Sequence, residues 1–80
     1  KEYIDRELLL IRCDVERGKQ EVLKKSVDTL HARVIHEDDV SIILEFTGEH
    51  HAIKEFLDTC QQYNPQELVR TGKIAIAKNQ

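Results

Sequence analysis

Between Val40 and Thr47 the side chains alternate, and that alternation constrains the fold more than any other stretch. Ile42, Leu44 and Phe46 point one way, while Ser41, Ile43, Glu45 and Thr47 point the other. A strand of this kind buries one face against a core and leaves the other open. Upstream, Arg33 to Glu37 is a short strand and Asp38-Asp39 a turn, so the two strands form a hairpin. The segments flanking the hairpin match one another. Arg6 to Cys13 is a short, nearly continuous apolar run suited to a central strand. Val22, Leu23, Ser26, Val27 and Leu30 then recur at helical spacing and form one stripe. After the hairpin, Thr47 is placed to cap a second helix whose inner face is Ala52, Ile53, Phe56, Leu57 and Cys60. Tyr63-Asn64-Pro65 ends that helix, because Asn tolerates left-handed backbone and Pro cannot continue a helix. Leu68 to Lys78 is the last strand.

The order βαββαβ, with right-handed crossovers, predicts an α+β, ferredoxin-like fold. Its sheet has four antiparallel strands, the first and third central, and both helices lie on one face. Residues 1 to 80 make one small domain, of a size expected to be marginal alone. The absence of methionine and the start at Lys1 lead us to expect a piece of a longer protein. No apolar run is long enough to span a bilayer, so the chain reads as soluble, with no membrane partner. Lys plus Arg number 12 against 15 Asp plus Glu, for a net charge of −3. Neither half is basic, which argues against wrapping nucleic acid. Cys13 and Cys60, in a strand and a helix, are expected as free, buried, reduced thiols, which suits a cytoplasmic setting.

Catalytic and ligand chemistry is sparse. Thr71-Gly72-Lys73 superficially suggests a phosphate loop, but such loops open a helix and here a strand continues through Ile74-Ala75-Ile76-Ala77. Gly72 is therefore expected to be a structural pivot, a bulge or bend within the last strand. His50 and His51 project about 100° apart on a helix and cannot chelate one ion well. His31 stands at a helix end that favours its imidazolium, and the Glu37-Asp38-Asp39 turn reads as solvated. Neither Ser26 nor Ser41 has a base or a nucleophile elbow beside it. No catalytic, cofactor or metal residue is assigned, and the chain is expected not to be an enzyme.

Association is the better-supported expectation. Two helices cover one face of the sheet, yet apolar residues of the central strands project to both sides, and an uncovered apolar patch marks an association surface. The candidate contacts are Leu9, Ile11 and Ile43 on the sheet, with Arg70 and Thr71 beside the pivot. Homo-oligomerisation follows from the same patch. An independent small-molecule or metal sensor on this fold is the alternative class.

With these elements in view, the chain resembles the C-terminal domain of the small, regulatory subunit of acetohydroxyacid (acetolactate) synthase. The likeness runs through RELLLIR at Arg6 to Arg12, LHARVIH at Leu30 to His36 and LEFTGEHHAIKEFL at Leu44 to Leu57. Its most specific part is ELVRTGKIAIAK at Glu67 to Lys78. The resemblance implies a partner, the catalytic large subunit, whose activity the small subunit raises and whose feedback inhibition by branched-chain amino acids it transmits. It also implies that the cofactors belong to that large subunit. Effector sensing would fall mainly to an ACT domain preceding this one. Asn64-Pro65 departs from the glycine common in that family at the corresponding turn, and His50-His51 match no family role.

Overall fold

The structure is a computed structural model that describes residues 2–79. Its elements are β1 (Tyr3–Cys13), α1 (Arg17–Asp28), β2 (Arg33–Glu37), β3 (Ile42–Gly48), α2 (His50–Cys60), a short 3-10 turn (Gln61–Tyr63), β4 (Pro65–Arg70) and β5 (Ile74–Ala77). The antiparallel sheet runs β2-β3-β1-β4, and β5 also pairs with β1. The first and third strands are central, as the ferredoxin-like reading requires. One expectation changes: the last strand is broken in two, giving five strands rather than four.

The core lies on one face of the sheet. Leu9, Ile11 and Cys13 of β1 stand opposite Phe46, Leu44 and Ile42 of β3, and all six are buried beneath the helices. From above, α1 adds Leu23 and Val27, and α2 adds Ile53, Phe56 and Cys60. Phe46 stacks on Phe56 with ring centroids 4.7 Å apart and planes within 7°. Gly48 is required here, since a Cβ would stand 2.9 Å from the Phe46 ring.

Several local readings are corrected. Val22 is exposed, and buried Gln20 takes its place on the inner face of α1 beside Leu23 and Val27. Residues 20, 23 and 27 share a face at helical spacing, whereas Val22 lies about 100° round from Leu23. Thr47 belongs to β3, and Glu49 is the N-cap of α2, without a side-chain cap bond. The chain leaves α1 through His31 at φ 65°, and the 3-10 turn through Asn64 at φ 52°. The asparagine also ties the turn down: Asp14 N–H donates to its carbonyl at 3.0 Å.

Candidate association surface

Alternation along β1 sorts the expected contacts. Leu9 and Ile11 are 0% and 2% exposed and face the helices, so they belong to the core and not to the open face. The residues between them, Leu8, Leu10 and Arg12, face away. Their neighbours are Thr47, Glu45 and Ile43 on β3, with Val69 and Glu67 on β4. Ile43 therefore does lie on the open side, at a shallow hollow of about 200 Å³ lined by Leu10, Arg12, Glu67 and Val69. Ion pairs border it: Arg12 reaches Glu67 at 3.1 Å and Asp14 at 3.2 Å, and Arg33 reaches Glu45 at 3.6 Å. Two arginines meet three carboxylates, which leaves an apolar floor with a paired, slightly acidic rim.

The Arg70-Thr71-Gly72-Lys73 segment extends that floor. Leu9 pairs with Arg70 and Arg6 with Ile74. Two residues of β1 thus oppose three of the partner, a bulge with one extra residue. Thr71 N–H donates to the Leu8 carbonyl at 3.0 Å, and its hydroxyl accepts from Leu8 N–H at 3.1 Å. The side chain thereby stands in for the ladder carbonyl that the bulge displaces. Gly72 sits at φ +85°, a conformation that favours glycine. Arg70 grips Glu7 with two hydrogen bonds, of 2.7 and 3.1 Å, while Gly72 N–H donates to the same carboxylate at 3.1 Å. Arg70 and Thr71, expected as partner contacts, direct these polar groups to β1.

The extra residue changes which way the chain faces. Without it, Ile74 and Ile76 would follow Arg70 onto the helix side. With it, they pair with Arg6 and Ile4 and share the side of Leu10 and Val69. Ile74 and Ile76 are 71% and 68% exposed. Sequence reasoning missed Leu10, Val69, Ile74 and Ile76. For Ile74 and Ile76 the signal is Gly72, since a glycine inside a strand marks a bulge that reverses the facing beyond it; Leu10 and Val69 carry no such mark.

Beyond the body, β1 and β5 continue as a two-stranded ribbon, and the molecule is 49 Å long but only 21 by 18 Å across. Glu7 lies at the ribbon's root. Its pKa is lowered from the ordinary carboxylate value, first by the Arg70 hydrogen bonds and charge, then by Gly72 N–H and the charge of His50. A depressed carboxylate stabilises the fold above its ordinary pKa, and this is lost as pH falls through the lower folded value. Urea midpoints measured from about pH 5 down to 3 should therefore fall more steeply for this chain than for Glu7→Gln. Parallel slopes would show that the clamp does not stabilise the fold.

The other titratable groups among the described residues form no metal site. Among the described residues, no three His, Cys, Asp or Glu side chains are grouped to hold a metal ion. His36 lies 3.4 Å from Asp38, whose carboxylate accepts from Val40 and Ser41 N–H and closes the hairpin turn. Cys13 and Cys60 are free and buried. They meet in the core, where the hydrogen bond to Cys13 and burial hold the Cys60 thiol protonated, far above its usual range. Among the described residues, no helix is long and apolar enough to cross a membrane.

Comparison with known proteins places the chain in a family. Residues 6–79 match the family model described as the small subunit of acetolactate synthase. A probable acetolactate synthase small subunit from Archaeoglobus fulgidus is 33% identical over 75 residues, covering 94% of this chain and 47% of that protein. The chloroplastic acetolactate synthase small subunit 2 of Arabidopsis thaliana is 25% identical over 76 residues, covering 95% of this chain and 16% of that one. The crystal structure of the Thermotoga maritima acetolactate synthase small subunit superposes with a TM-score of 0.84 at 26% identity, covering 98% of this chain and 48% of that one. The chain thus spans about half the length, or less, of these relatives.

Proposed function

Because the chain belongs to the acetolactate synthase small-subunit family, we propose that it is a non-catalytic regulatory domain that joins small subunit to catalytic subunit. In this reading it contributes to subunit association, and to activation and feedback control of the catalytic subunit in branched-chain amino acid biosynthesis. The observation that carries the reading is the uncovered apolar side of the sheet, from Ile43 through Leu10 and Val69 to Ile74 and Ile76. Its slightly acidic rim suits a protein partner better than nucleic acid, which needs a positive field. Self-association of the chain belongs to the same reading, since an exposed apolar strip marks an association surface and a second copy carries the same strip.

Control requires only that docking differ between effector states by about 1–3 kcal/mol, the usual scale of allosteric coupling. A rigid sheet face, anchored at the Glu7–Arg70 clamp, can transmit such a difference to whatever rests on it.

The test is titration calorimetry of the chain against the catalytic subunit of the same source, alongside its effect on that subunit's turnover. Val69→Asp sets a carboxylate in the middle of the floor, and Val69 is already 56% exposed, so the fold survives. Affinity should fall about tenfold or more, with activation falling in parallel. Unchanged affinity in Val69→Asp would show that the open face is not where the catalytic subunit docks.

A further inference from the structure

The ribbon has an unpaired edge, and its chemistry is directional. Lys78 N–H donates to the Glu2 carbonyl and Thr71 N–H to the Leu8 carbonyl, so even-numbered residues of this strand turn their backbone groups toward β4 and β5. By alternation, Tyr3 and Asp5 turn theirs the other way. On that side β3 begins its pairing only at Glu7. Among the described residues, no strand covers Tyr3 to Arg6 there. A two-stranded ribbon is marginal in water by itself, and a bare edge is a template for another strand.

We infer that the edge of Glu2 to Arg6 pairs antiparallel with the same edge of a second copy, about a two-fold axis through Ile4. This rests on the self-association proposed above and gives it an address. In that register Tyr3 opposes the second copy's Asp5, and each exchanges both backbone hydrogen bonds. Ile4 meets its counterpart across the axis. Glu2 meets Arg6 at both ends, so the pairing is complementary in charge. Arg6 has no carboxylate partner among the described ion pairs, whereas Asp5 faces Lys73 and Glu2 faces Lys78. Moving the axis to Asp5 would oppose two aspartates, and moving it to Tyr3 would set Glu2 against Ile4.

Surface area points the same way. The chain exposes 5595 Å², whereas a compact monomer of its size exposes about 5,000 Å². The surplus of roughly 600 Å² approaches one partner's share of an ordinary interface, about 800 Å². Pairing through Ile4 would also join the two open faces, with Ile74 and Ile76 of both copies flanking the junction.

Charge reversal in sedimentation equilibrium is the test, carried out up to about 1 mM with circular dichroism confirming the fold. Arg6→Glu sets Glu against Glu at both ends and should weaken dimerisation about tenfold, as should Glu2→Arg. Mixed together, the two single variants bring acidic residues at positions 2 and 6 against basic ones, so a heterodimer should form more tightly than either homodimer. The double variant Glu2→Arg/Arg6→Glu should recover the original affinity. A dimer indifferent to all these reversals would overturn this edge and leave self-association standing; a strict monomer throughout would overturn both.

Discussion

Replacing Phe56 with alanine should leave the chain largely unfolded or without a cooperative urea transition at 25 °C. Phe56 is fully buried, stacked on Phe46, and is the largest side chain that α2 gives the core. Truncating a phenylalanine at such a site costs about 3–5 kcal/mol in lost transfer energy and residual cavity. The whole stability of an 80-residue chain is about 4–12 kcal/mol, and small cores lie at the low end. The cavity cannot collapse easily, because the Phe46 ring is held from below by β3 and Gly48 already lies against its edge. Phe56→Leu, which keeps most of the volume, should lose far less. An alanine variant with a midpoint near that of the parent would mean that the two-ring stack is not the centre of the core.

Gln20→Ala should cost about 2–4 kcal/mol, a large effect for one neutral polar residue. The Gln20 amide is completely buried, and the two N–H groups of Nε2 are shared among three carbonyls: Val15 at 2.9 Å, Asp38 at 2.7 Å and, most weakly, Ser41 at 3.2 Å. One side chain therefore joins the loop after β1 to the hairpin turn between β2 and β3. Removing it takes the donor from the buried Val15 carbonyl and the part-buried Asp38 carbonyl, at about 1–3 kcal/mol for a buried group, while the Ser41 carbonyl keeps the Asp38 N–H; it opens a small void as well. An opposing term exists, since Oε1 is buried without a partner among the described residues. That orphan costs energy in the native chain and its removal returns some. Two buried N–H donors, both used, outweigh one orphan acceptor, so the net sign is destabilising. Urea unfolding gives the magnitude, and amide exchange should show the hairpin turn opening first. A loss below about 0.5 kcal/mol would mean that the orphan acceptor cancels the donated bonds.

Much of the architecture was legible because it depends on local periodicity. The alternation at Ile42, Leu44 and Phe46, the stop at Asn64-Pro65 and the match between the two halves led directly to central first and third strands. The site was less legible. Leu9 and Ile11 are no more apolar than Leu8 and Leu10, and nothing in RELLLIR says which pair meets the helices. Pairing decides it: once Phe46 faces the core, the Leu9–Phe46 register forces Leu9 inward. Gln20 was invisible for a related reason. Its burial depends on carbonyls 18 and 21 residues away, which no local window contains.

The order of strands and helices, the glycine at the break and the family likeness were all determined by the amino-acid sequence alone, because each is expressed in neighbouring residues. Which side of the sheet is greasy and open, and that Ile74 and Ile76 join it, was decided only by tertiary structure. The reason is the two-residue period of a strand: one inserted residue near Gly72 reverses every side chain after it, and only pairing with β1 reveals that the insertion is there.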